Sequence, residues 1–434
     1  MKMKLISIIM ALVLGTVAVV SSLSAYMERE SSYNNYLEKA RYNAQREIPY
    51  NAYQNYQKAF AIRCESESVY QEYIEQCRLL GADYYAKAVE EYVERFPNSS
   101  TAYEMLCRRH YENGSYKSVV KLALEARQQG AATEQVRLWY MECAYMLKNV
   151  SSGYEEVQSM LGGYARVKVG GKYGFIKQSG KYVIAPRYEQ ASTYMNECAS
   201  VLEDGVWQVV NSLGYRVALP DRPVDSLGMI VGGIMSVSVD GKYGYTDASL
   251  QIPTELPYAY ASTFKNGVAA VEKDGKWALI NTSRELVTDF IFDEIVLDEY
   301  DVCINSGVIF VCKDGKYYMM NAEGTKISDQ AFDAVQPFAD GGLAAVAIGG
   351  KWGFVDPTGS VVIEPQYEGA RSFGAGLGGV CIDGLWGYVS KSGELLVECQ
   401  FEDCMPFNAS GIAAVKENGL WKFVQLLGYQ VTGG

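Results

Sequence analysis

The residues that could do chemistry in this chain are few and poorly paired. Its 434 residues include a single histidine, His110. A Ser/His/Asp triad, a Cys/His pair or a histidine-based metal centre each needs an imidazole. His110 lies in Cys107-Arg-Arg-His-Tyr111, a helix-prone segment where a solvated or capping role is expected. The ten cysteines (Cys64, Cys77, Cys107, Cys143, Cys198, Cys303, Cys312, Cys381, Cys399 and Cys404) contain no C-x-x-C pair and do not recur at fixed positions. Zinc and thioredoxin-like chemistry are thereby removed, and neighbours such as those in Val380-Cys381-Ile382 mark small buried hydrophobes. Carboxylates gather at Asp293-Glu294, Asp298-Glu299 and Asp301. Such groups can act as acid and base or hold calcium. These lack the order of a calcium loop, so a solvated insertion is expected. The run Gly374–Gly379 has neither the strand-to-helix setting nor the Lys-Ser/Thr of a phosphate loop. The sequence therefore assigns no catalytic residue, no metal ligand and no cofactor, and the chain reads as a non-enzyme.

The elements that would position any site fall into three stretches. Residues 1–26 begin with Lys2 and Lys4, followed by nineteen uncharged residues, Leu5–Leu23. At ~1.5 Å per residue such a run reaches about 28 Å, close to the hydrocarbon thickness of a bilayer. The flanking lysines predict a single-pass anchor with a cytoplasmic N-terminus and an extracytoplasmic body. A cleaved signal peptide, cut near Ser24 or Ala25, is the alternative and would leave the body secreted.

From about residue 30 to 150 proline is scarce and helix formers dominate. A period of 33 relates Gly81 to Gly114, each between helical stretches, and Tyr70-x-x-Tyr73 to Tyr103-x-x-Leu106. Phe96-Pro97-Asn98 closes one unit, and Ser99 or Ser100 can cap the next helix. Gly81, Tyr84, Ala88, Tyr92 and Pro97 together resemble the tetratricopeptide repeat. That resemblance implies a solenoid of helix pairs with a protein-binding concave face.

From residue 154 to 434 short β-prone runs alternate with Gly, Asp and Asn. One hexamer, seen as Gly171-Lys-Tyr-Gly-Phe-Ile176 and Gly350-Lys-Trp-Gly-Phe-Val355, recurs eight times. Its first glycines are Gly171, Gly205, Gly241, Gly275, Gly315, Gly350, Gly384 and Gly419, at intervals of 34, 36, 34, 40, 35, 34 and 35. The first glycine suits a tight hairpin with positive φ. The aromatic residues, two apart, share a strand face, and the glycine between them is expected to face a neighbouring sheet. In the clearest unit Thr358-Gly359 turns into Val361–Glu364, followed by Pro365-x-Tyr367-Glu368. This pattern resembles the WG-repeat (KWG) family. Gln208, Ala278, Tyr318 and Lys422 depart from it, and copies two and three are worn in their third strand.

The fold class read from these stretches is α plus all-β: an N-terminal membrane anchor, a tetratricopeptide-like solenoid and an eight-repeat β array. The array is either a closed β-propeller or an open β-solenoid. Tyr154–Met160 resembles Phe332–Phe338, so the array starts with part of a unit that its end, Gly428–Val431, lacks. That split leans towards a ring in which Tyr154–Met160 completes the last unit. The expected function is non-catalytic binding or scaffolding outside the cytosol, through protein–protein contacts on both arrays. The alternative is a cell-wall or glycan-binding module, because Gly315–Gly324 resembles the aromatic choline-binding wall repeat. A net charge of −12 argues against nucleic acid. The partners expected are thus protein, or else cell-wall glycan, with the membrane contacted through the first segment.

Overall fold

Helix formers and β-prone hexamers segregate cleanly in the computed structural model, which describes residues 2–339 and 342–428, with backbone alone for 2–9 and 11–13. Two units result, residues 1–143 and 144–434.

The first unit contains α1 (Lys2–Gln45), α2 (Pro49–Phe60), α3 (Glu67–Leu80), α4 (Ala82–Arg95), α5 (Ser100–Glu112), α6 (Tyr116–Gln128) and α7 (Glu134–Ala144). Proline at the first position starts α2, and the hydroxyls of Ser66 and Ser99 cap α3 and α5 by accepting from Val69 N and Ala102 N. Gly81 and Gly114 adopt φ of 125° and 69° between paired helices. The 33-residue period is visible in the packing. Tyr70 and Tyr103 are both fully buried, and each hydroxyl crosses to the next helix, to Ala88 O and Glu125 Oε1.

The membrane anchor expected in residues 1–26 is not supported. Lys2–Gln45 forms one 44-residue helix whose second half is charged. Among the described residues no helix is long and apolar enough to cross a membrane. Residues 5–9 and 11–13 of the predicted span lie outside the described side chains. The single-pass localisation and the orientation inferred from it do not stand.

The second unit is an eight-bladed β-propeller. Among the described residues there are eight antiparallel sheets, each built around one hexamer. Blade 1 shows the plan, with strands Glu156–Val157, Tyr164–Val169, Lys172–Lys177 and Tyr182–Tyr188 running outwards. Blades 3, 4 and 5 have three strands and the others four. An apolar cluster fills every seam between successive blades. Phe175, Tyr188, Tyr194 and Val201 join blades 1 and 2, for example, and Phe354, Tyr367, Phe373 and Val380 join blades 6 and 7. The eighth cluster, Tyr154, Met160, Val167, Ile176, Ala414 and Phe423, joins blade 8 to blade 1. An open solenoid would leave that surface uncovered, so the ring is closed.

Closure uses a different segment from the one expected. Glu156–Val157 pairs with Tyr164–Val169 as the first strand of blade 1, and the residues just upstream, Leu147–Tyr154, pair with Leu420–Leu426 as the outer strand of blade 8. Lys148-Asn-Val-Ser-Ser-Gly153 has weak strand character, which conceals it in the sequence. Tertiary packing of Leu147, Val150 and Tyr154 decides its fold. Residues 429–431 of the expected array end lie outside the described residues.

The hairpin prediction holds. Each hexamer opens on a two-residue turn with positive φ at both positions, as at Asp204 (51°) and Gly205 (73°). In most blades a carboxylate from the preceding Tyr/Phe-Asp/Glu step accepts from the turn amides. Glu155 takes Gly170 N and Gly171 N at 2.7 and 3.0 Å, and Glu368 takes Gly384 N at 3.0 Å. This fixes where each blade's first strand begins, and so which residues enter the channel.

Candidate binding site in the propeller channel

In every unit the chain turns inward just before its second strand, in six of the eight after a Tyr/Phe-Asp/Glu step. These segments surround a cavity of about 420 Å³ to which all eight blades contribute. Its walls are largely thioether and aromatic: Met160, Met195, Met229, Met405, Phe264, Phe338 and Trp421. Buried hydroxyls brace the wall. Ser262 Oγ accepts from Ala270 N at 2.9 Å, and Ser372 Oγ accepts from Ala345 N of the previous blade at 3.0 Å.

Of the acidic residues read from sequence as a solvated insertion, Asp293 and Glu294 are exposed, whereas the stretch that follows them lies at the cavity. Leu297, Asp298, Glu299, Tyr300, Val302 and Asn305 all line the cavity. The insertion reaches across the ring, since blades 1 and 5 face each other. Ser159 N of blade 1 donates to Glu299 Oε2 at 2.7 Å, Gln158 Nε2 donates to Glu299 O at 2.6 Å, and Tyr300 hydroxyl donates to Ser159 O at 3.1 Å. Asp298 organises the loop by accepting from Tyr300 N, Val302 N and Asn305 Nδ2. Asp301 ties it to blade 4, accepting from the Tyr260 hydroxyl at 2.7 Å, while its carbonyl accepts from Thr263 N at 2.8 Å.

Burial raises the pKa of all three carboxylates. It outweighs the hydrogen bonds to Asp298, raises Glu299 against the opposing bond from Ser159, and pushes Asp301 up to about 6. The Glu299 side chain still meets solvent, because the protein surrounding it encloses an open channel. Two cations line the cavity. Arg371 reaches Asp403 at 3.1 Å and Cys404 O at 3.2 Å over the Trp386 ring, and Lys265 donates to Asn305 Oδ1 at 2.6 Å. The Cys404 thiol is pushed up to about 12 by burial and stays protonated.

The raised Asp301 gives a pH-dependent prediction. Its folded pKa lies above the unfolded value of about 3.9, so the folded state holds the proton more tightly. Stability from this group is greatest below about pH 4, falls as pH rises towards about 6 and is flat beyond. The drop is on the order of 3 kcal/mol. Asp301→Asn should remove that slope in urea titrations between about pH 4 and pH 6.5. An unchanged slope would assign the titration to another group.

The other residues singled out from sequence lie apart from this site. His110 is half-buried in α5, its pKa lowered by burial and then by Arg109. The ten cysteines are free, and seven are buried. Gly374–Gly379 forms a hairpin of blade 7 in which Gly374 packs against the Phe407 backbone of blade 8. The hexamer aromatics are mostly half-buried between strands. Trp207 Nε1 donates to Asp225 O, and Tyr173 and Tyr317 donate to Glu156 and Glu294. In the wall-repeat lookalike, Lys326 already covers the Tyr318 ring at 4.6 Å. The one sequence signal for the insertion is the 40-residue interval. It follows Phe292-Asp-Glu-Ile295, the step after which most other units turn inward.

The repeat geometry agrees with comparison to known families. The family described as WG containing repeat matches residues 150–173, 173–207, 256–277, 278–317, 319–352, 352–386 and 386–421, just over half of the chain. The chain belongs to the WG-repeat family. The unmatched stretch 208–255 covers the WG copies that are worn in sequence. No curated protein matches the chain by sequence. Among solved structures, a eukaryotic initiation factor is 14% identical over 62% of this chain and 82% of its own, with a TM-score of 0.39. Kluyvelomyces marxianus Hsv2 is 10% identical over 62% and 89% (TM-score 0.35), and the Neurospora crassa Pan2 WD40 domain 9% over 65% and 96% (0.33). Scores this low do not bear on the function of the WG-repeat chain.

Proposed function

We propose that this WG-repeat protein is a non-catalytic binding or scaffolding protein whose propeller receives a protein partner at the channel. The observation that carries this reading is the cavity itself, assembled from all eight blades and walled by adaptable thioethers and aromatics. Its ionisable groups are engaged in holding the wall and the insertion rather than paired as nucleophile and base. The helical unit supplies a second surface. The 33-residue spacing of Tyr70 and Tyr103, each anchoring a helix hairpin, supports tetratricopeptide-like repeats. Fold alone does not assign a ligand.

The test is capture with the full chain after crosslinking in cells, read by mass spectrometry. Filling the cavity with Met195→Trp and Met229→Trp should remove a partner that the unaltered chain retains. Identical capture by both forms would sink the channel reading.

A further inference from the structure

The cavity's charges are unevenly matched. Asp403 is paired with Arg371, and Asp298 is occupied by two backbone amides and Asn305. Glu299 accepts from Ser159 N through Oε2, and among the described residues no ion pair involves it. Arg166 acts on its charge from nearby without forming an ion pair with it, its guanidinium donating to Ala191 O at 2.5 Å. Lys265 is held by Asn305. A second acceptor lies beside Glu299. Gln158 is 3% exposed, its amide nitrogen is spent on Glu299 O and Thr193 Oγ1, and its Oε1 has no partner. Gln158 is not among the residues that line the cavity, so this acceptor sits behind the wall and the ligand-facing acceptor is Glu299.

We propose that the channel cavity takes a lysine or arginine side chain of a partner protein, with Glu299 as counter-charge. Glu299 lines the cavity as a carboxylate outside any ion pair among the described residues, and an ammonium or guanidinium supplies a charge and several donors at once. The aliphatic stem of such a side chain lies against Met160, Met195 and Met229, whose unbranched thioethers adapt to it. A net charge of −12 favours approach of a cationic partner. This inference rests on the channel being the binding face.

Calorimetry on the full chain with pentalysine tests it. Glu299→Gln should weaken pentalysine binding at least about tenfold, as loss of one member of an enclosed charge pair does. Asp329→Asn, which removes a fully exposed carboxylate on blade 5, should leave it unchanged. Nε-acetylated pentalysine should bind the unaltered chain at least about tenfold more weakly. Glu299 also tethers the insertion, so Met229→Trp provides an independent variant that blocks the cavity without touching that hydrogen bond, and it should abolish binding. Equal affinity of Glu299→Gln and the unaltered chain, or of the acetylated and free peptides, would overturn the proposal. If Met229→Trp loses the partner captured in cells and Glu299→Gln keeps it, the channel reading survives and the cationic ligand falls. If neither variant changes capture, both fall.

Discussion

Replacing Leu147–Tyr154 with a Gly-Ser linker of the same eight residues will unfold the propeller or leave it as a loosely packed, aggregating ring. This strand does more than extend blade 8. It forms six residue pairs with Leu420–Leu426, from Leu147 with Leu426 to Tyr154 with Trp421. Tyr154 is 3% exposed and meets Phe423 edge-on in the seam between blades 8 and 1. Val150 joins that cluster, and Leu147 packs on the cluster between blades 7 and 8. Burying these three side chains contributes on the order of 5 kcal/mol at about 1.5–3 kcal/mol each, with half-burial discounted. Net stability of a domain is itself about 5–15 kcal/mol. Blades 3 to 5 manage with three strands because connecting loops bridge their outer edges, as Trp277 with Phe292 and Tyr317 with Phe332 show. Blade 8 has no such loop among the described residues, so its edge would be left open. Urea denaturation followed by far-UV circular dichroism reads the effect. A midpoint within the error of the unaltered chain would show that the seams hold the ring without this strand.

How much of this was legible from sequence depends on whether the signal was local. The hairpins were, because a turn with two positive φ angles admits few residues, and Asp204-Gly205 or Asn418-Gly419 states that need directly. The helix hairpins were legible through Gly81 and Gly114 for the same reason. Ring closure was legible only as a missing piece. The segment that fills it, rich in Asn, Ser and Gly, is a strand because Val150 and Tyr154 find a seam, which is a non-local cause. The long apolar run near the N-terminus misled by counting uncharged residues, when the helix it belongs to runs on into charged sequence to Gln45. The acidic insertion misled most. Five carboxylates within residues 293–301 read as solvent-facing, and nothing local shows that Ser159, 140 residues away, donates to one of them. The missed site is therefore a property of the closed ring, which brings blades 1 and 5 face to face.

Gly353→Ala will cost about 2–3 kcal/mol, far more than a buried methyl group usually does, because there is backbone where the methyl would go. The hexamer's second glycine was expected to make room for a neighbouring sheet. It makes room for the outer strand of its own blade. In blade 6 Trp352 pairs with Tyr367 and Phe354 with Ile363, so a single residue, Gly353, stands opposite the bulged segment Glu364–Gln366. A Cβ on Gly353 would lie 2.7 Å from Pro365 N and against Ile363 O. A Cβ on Gly174 would lie 2.6 Å from Pro186 N, and one on Gly387 2.8 Å from Cys399 N, in the same register. Three of the four departures from the motif follow the same rule. Blade 2 has Gln208, and its outer strand is cut to Arg216–Ala218, pairing only from Val209 onward. Blades 4 and 5 have Ala278 and Tyr318 and lack a fourth strand. Gly244 of blade 3 supplies the internal control, since its Cβ would meet the Leu256 Cδ2 methyl, the movable end of a side chain. Gly244→Ala should therefore cost no more than about 1 kcal/mol. Equal losses at Gly353 and Gly244 in paired urea titrations would mean that the glycine answers to something other than the bulge. A large loss at Gly353 alone would mean that in blades 1, 6 and 7 the second glycine answers to the outer strand that bulges across it.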